Sequence, residues 1–109
     1  MNFATSDRLH GTLDALILRT LAWGPRHGYA IIRWLRDKSD NAIQVEEGSL
    51  YPALYRLERR GWIEADWGIS DQGRKARFYK LTPEGRHQLS SEVARFRVFV
   101  AAVSPILLS

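Results

Sequence analysis

The chain has 109 residues, enough for one domain with an adequate core. Sixteen Lys and Arg against twelve Asp and Glu give a formal charge of +4 and an isoelectric point near 9.9, a balance that favours a polyanionic partner. There is no cysteine, which excludes disulfides, thiol catalysis and cysteine-based zinc sites and fits a reducing compartment.

The N-terminus lacks the basic-then-apolar pattern of a secretion signal. The most apolar run, Val98 to Leu108, is interrupted by Ser104-Pro105 and is about half the ~20 residues of a membrane-spanning helix. A soluble cytoplasmic protein with no membrane partner is expected. No repeat or low-complexity linker is present.

Residues 1–10 are weakly patterned, with Phe3 and Leu9 as the large apolar groups. A first helix is predicted over 12–23, capped by Thr12. Leu13, Leu16, Ile17 and Leu21 form its stripe, and Leu18 and Ala22 lie well round the cylinder, a width that predicts burial on two sides, with another subunit one candidate for the second. Trp23-Gly24-Pro25 stops it. A second helix opens at His27-Gly28-Tyr29 and runs to about Asp37, with Ile31, Ile32 and Leu35 inward. Ser39-Asp40-Asn41 ends it. Ile43 and Val45 alternate with Gln44, the pattern of a short strand.

The next helix spans about 48–60. Read at 100° per residue, Leu50, Ala53, Leu54 and Leu57 share one face. Gly48, Pro52, Tyr55, Arg56 and Arg59 share the other, with Ser49 and Tyr51 at its edges. Small groups permit close approach, and Arg and Tyr hydrogen-bond phosphates and base edges. Two starts are open. Either Ser49 caps the helix and Pro52 lies in the first turn, or the helix starts near Glu46 and Pro52 is interior. Gly61 ends it in either case.

The segment 62–81 reads as a β-hairpin. Ile63, Ala65 and Trp67 alternate with Glu64 and Asp66, Ser70-Asp71-Gln72-Gly73 turns the chain, and Arg77 to Leu81 alternates again. Arg74, Lys75 and Arg77 make its tip basic. Thr82-Pro83-Glu84 then starts a long helix, with a capping hydroxyl, Pro at the first position and an acid in the first turn, running to about Val103. Leu89, Val93, Phe96, Val100 and Val103 follow a coiled-coil spacing that Phe99 widens, a candidate dimerisation seam.

This order makes a mainly α fold with a small β-hairpin wing: a winged helix-turn-helix over residues 1–82, followed by a dimerisation segment over 83–109. The expected DNA contacts are Ser49, Tyr51, Tyr55, Arg56 and Arg59 on the third helix and Arg74, Lys75 and Arg77 on the wing. Tyr51 serves equally as a ring packed under the hairpin. For Arg56 and Arg59 the structural alternative is a salt bridge to Glu58 or plain solvation. Trp23, Trp34, Trp62 and Trp67 read mostly as core or interface anchors. His10, His27 and His87 are scattered without ligand spacing, so no metal is expected. No nucleophile–base pair or phosphate loop is present, so neither a cofactor nor an enzyme is expected.

The chain resembles the PadR-like transcriptional regulators. The resemblance rests on Gly11-Thr12-Leu13-Asp14 with Leu16-Ile17-Leu18, on His27-Gly28-Tyr29, on Gly48-Ser49-Leu50-Tyr51-Pro52-Ala53-Leu54 with Arg56-Leu57-Glu58 and Gly61, and on Arg77-Phe78-Tyr79 with Leu81-Thr82-Pro83-Glu84-Gly85. These blocks occur in the family's order over roughly residues 11–96. The resemblance implies a winged-helix repressor, dimeric through its last helix, that binds operator DNA as an imperfect palindrome and releases it when a small molecule or partner intervenes. Some short members bind flat aromatic ligands between tryptophans of that helix. Here the helix carries Phe96 and Phe99 and no Trp, a departure from that mode. The competing reading is a winged-helix module that uses the same surfaces on a protein without operator binding.

Overall fold

The computed structural model describes residues 10–109, with side chains from Thr12 onward. Phe3 and Leu9 and the side chain of His10 lie outside that range. The elements are α1 (His10–Leu21), β1 (Arg26–His27), α2 (Gly28–Lys38), α3 (Glu47–Arg59), β2 (Ile63–Ile69), β3 (Lys75–Leu81) and α4 (Pro83–Leu107).

Helix α1 is the centre of the core. Leu13, Ile17, Leu18 and Leu21 are all buried, and the helix packs on α2, α3, α4 and β3 of its own chain. Much of the wide apolar surface is therefore covered within the chain, with Leu16 and Ala22 left partly buried. Thr12 is not the cap, because the helix already runs from His10. The helix ends at Leu21, and the amide of Gly24 donates to the Leu21 carbonyl.

The sheet is antiparallel, in the order β1-β3-β2. Strand β1 was not anticipated. Its two residues pair with the outer edge of β3, Arg26 with Tyr79 and His27 with Phe78, which docks the start of the helix-turn-helix onto the wing. His27 thus precedes α2 as its cap, and its Nδ1 accepts the Ala30 amide. The expected strand at Ile43 and Val45 does not form. Val45 is buried in the core and Ile43 packs against it, while the Ser39 hydroxyl accepts the Ile43 amide. The alternation there records burial, not pairing.

Helix α3 buries Leu50, Ala53, Leu54 and Leu57. It ends in a Schellman turn: Gly61 has φ +75°, its amide donates to Glu58, and the Trp62 amide donates to Leu57. At the next junction the Thr82 hydroxyl accepts the Gly85 amide at 3.0 Å and donates to the Gly61 carbonyl at 2.6 Å. One side chain caps α4 and ties its start to the end of α3. Helix α4 then runs 25 residues, continuing through Pro105, past the Val103 expected from the spacing. No helix among the described residues is long and apolar enough to cross a membrane.

Candidate nucleic-acid interface

The start of α3 follows the second of the two expected courses. Glu46 is the cap residue and its carbonyl accepts the amides of Ser49 and Leu50. Ser49 is a helical residue, not the cap. Pro52 is interior, so the carbonyl of Gly48 receives no amide from it. That costs little here, because Gly48 is exposed and even an added Cβ would meet nothing within 4 Å. Glu47 in the first turn suits the helix dipole.

Opposite the buried stripe, Gly48, Pro52, Tyr55 and Arg59 are exposed. The Arg59 guanidinium stacks over the Tyr55 ring at 5.7 Å, which holds both on this face. Tyr51 stands at the edge, 46% exposed. Its ring end lies over Gly28, where a Cβ would come within 2.5 Å of the Tyr51 hydroxyl. So the glycine that opens α2 makes room for a phenol of α3, and Tyr51 packs on α2 while lying near enough to Tyr79 of the hairpin to act on it electrostatically. Burial, and then Glu47, push its pKa upward.

Arg56 is a different case from Arg59. It turns to the other shoulder of the helix, where its Nη2 donates to Asp14 Oδ1 of α1 at 3.0 Å. Asp14 is 9% exposed. Arg56 is thereby built into the α1–α3 interface, with a partner other than the Glu58 weighed from sequence. Ser49 is half-buried on this same side.

On the opposite shoulder Glu58 meets the wing. Arg77 grips it with both terminal guanidinium nitrogens, at 3.3 and 3.2 Å, and lies 5.9 Å over the Tyr79 ring. Tyr79 is buried, and desolvation raises its pKa against the opposing effect of Arg77. Arg77 therefore positions the wing against α3. The cations left at the wing tip are Arg74 and Lys75, both exposed, with Lys75 Nζ 5.0 Å over the Trp67 ring. Lys80 pairs with Glu64.

Two tryptophans depart from the core reading. Trp23 is 68% exposed after α1, and Trp67 is 65% exposed on the wing. Trp34 and Trp62 are half-buried against the core. A further aromatic–cation pair stands on α2: Tyr29, half exposed in its first turn, with Arg33 at 5.1 Å. The i,i+4 spacing of the two was the available signal.

Helix α4 divides its seam. Leu89 is buried in this chain's own core and Val93 packs at its rim. Phe96, Phe99 and Val100 are exposed, as are Ile106, Leu107 and Leu108, and Val103 is half-buried.

The model of the Transcriptional regulator PadR-like family matches residues 17–91. A Lysinibacillus sphaericus protein of uncharacterised function, protein X, is 36% identical over 88 residues, 81% of each chain. Among solved structures, a transcriptional regulator from Clostridium thermocellum is similar with a TM-score of 0.82 and 29% identity, over 92% of this chain and 97% of that one. A PadR-like transcriptional regulator from Bacillus cereus gives 0.81 and 28%, over 95% and 99%. Such proteins are regulators of transcription and not enzymes. With these matches spanning the helix-turn-helix, the wing and the start of α4, the chain belongs to the PadR-like family of transcriptional regulators.

Proposed function

We propose that this regulator binds operator DNA as a homodimer, with α3 in the major groove and the wing on the flanking backbone. The observation that carries the reading is the outer face of α3. Its inner side is wholly buried, its shoulders are fixed by the Arg56–Asp14 and Glu58–Arg77 pairs, and Tyr55 and Arg59 stand outward between them. A side chain presented on a rigid element is what direct readout requires. The exposed apolar groups of α4 from Phe96 onward support pairing with a second copy. Two recognition helices then read half-sites about 34 Å apart on an imperfect palindrome. Repression of its own or neighbouring genes, and release by a hydrophobic small-molecule effector, complete the reading.

The test is fluorescence anisotropy with the DNA upstream of the protein's own gene and a shuffled control, across a salt series. Tighter binding to the upstream duplex is expected, steeply weakened by salt, and Arg59→Ala reduces the preference by about 1–3 kcal/mol. Equal affinity for both duplexes at moderate salt overturns the operator reading.

A further inference from the structure

The outer half of the wing carries apolar surface that the contacts above leave unused. In the hairpin register Trp67 lies across from Arg77, and Ile69 across from Lys75. Directly opposed residues share a sheet face. These four therefore continue the face formed at the base of the hairpin by Ile63, Leu81 and Tyr79, all buried. It is also the face turned towards α3, because Arg77 reaches Glu58 from it. At the base this face covers core. Further out the hairpin overhangs the body, and Trp67 and Ile69 stand 65% and 68% exposed.

What surrounds this apolar pair decides its partner. Lys75 lies over the Trp67 ring and Arg74 follows Gly73 at the end of the turn. The acids of the strand, Glu64 and Asp66, pair with Lys80 and Phe78 on the opposite face. The patch is thus apolar at its centre and cationic at its rim, and it is continuous with the exposed face of α3. A polyanion with an apolar, curved wall fits that combination, and the sugar-lined minor groove of a DNA duplex has both properties. Apolar side chains are used in this way as minor-groove wedges.

We infer that Trp67 and Ile69 form an apolar wedge that seats in the minor groove beside the major-groove site of α3, with Lys75 and Arg74 on the bordering phosphates. The inference rests on the operator-binding reading. The indole then contributes buried apolar area and, through its N–H, a donor for the acceptors on the groove floor. Arg77 contributes indirectly, by holding the wing at its angle.

The experiment measures affinity and salt slope on the upstream duplex for the wild type, Trp67→Ala, Trp67→Phe, Lys75→Ala and Arg59→Ala. Each protein is first checked for an unchanged melting temperature, since Trp67 is largely outside the core. Trp67→Ala is expected to lose on the order of 10- to 100-fold in affinity at unchanged slope, because apolar contact and no charge is removed. Trp67→Phe retains most of the affinity, and Lys75→Ala lowers the slope by about one. If Arg59→Ala loses binding while Trp67→Ala binds like the wild type, the wedge is overturned and the operator reading stands. If Trp67→Ala lowers the slope as Lys75→Ala does, Trp67 only places the lysine, and the wedge is again overturned. A wild type that binds both duplexes alike overturns both readings.

Discussion

Replacing Arg56 and Arg59 in turn separates two residues that share the polar side of one helix. Arg56→Ala removes a guanidinium 3.0 Å from Asp14, in a pair whose side chains are 33% and 12% exposed. A hydrogen bond to a charged group contributes about 1.5–3 kcal/mol when buried. Partial exposure of Arg56 lowers this, and Asp14 has further interactions to fall back on, so the expected loss is about 1–2 kcal/mol. For a domain of this size about 1 kcal/mol shifts Tm by about 4–8 °C. Arg56→Ala should therefore melt about 4–15 °C lower by circular dichroism, while the folded protein keeps its DNA affinity at a temperature well below that midpoint. Arg59→Ala should do the reverse. Its guanidinium lies on an exposed ring, so Tm should move little, while a lost Arg contact to guanine lowers affinity by about 1–3 kcal/mol. An Arg56→Ala protein with an unchanged Tm and no DNA binding would refute the reasoning, since it would mean that the ion pair dissolves to free Arg56 for the groove.

Gly28→Ala should destabilise by about 1–3 kcal/mol, because its Cβ would stand 2.5 Å from the Tyr51 hydroxyl. In a Tyr51→Ala background the same change should cost far less, a coupling that urea melts of the double-mutant cycle read directly. Thr82→Ala removes both the cap of α4 and the tie to Gly61, and should cost about 1–2 kcal/mol in the same assay. Tyr51 and Tyr79 both have pKa values raised above the ordinary 10.0, mainly by burial, so the fold favours their protonated forms. Their stabilisation is intact below about pH 10 and is lost as pH rises from there through the folded-state values. Alkaline melts should show this fall, and Tyr79→Phe should flatten it; an identical alkaline profile in that variant would remove Tyr79 from the account.

Signals carried by adjacent residues were legible in the sequence, and those set by distant partners were not. The start of α4 could be read because Thr82, Pro83 and Glu84 act on their own turn, and the end of α3 because Gly61 does. Strand β1 was invisible because two residues have no period. It exists because β3 offers an open edge to Arg26 and His27. Thr12 reads as a cap only in isolation, since the helix it was to start already begins at His10. Trp67 sits on the same alternating face as Ile63, but alternation reports which side a residue faces and not how far the body extends beneath it. Arg56 and Arg59 differ in their angle from the buried stripe of α3. Arg56 and Glu58 sit at the shoulders of the helix, next to the buried stripe, where a neighbouring element can reach them; α1 takes one and the wing takes the other. Arg59 lies nearly opposite that stripe, beyond the reach of both. Charge at the shoulder of an amphipathic helix is thus drawn into holding the helix in place, and charge opposite the stripe stays available to a partner. By that criterion Arg59, with Tyr55 beneath it, is the residue of α3 that we propose for DNA contact.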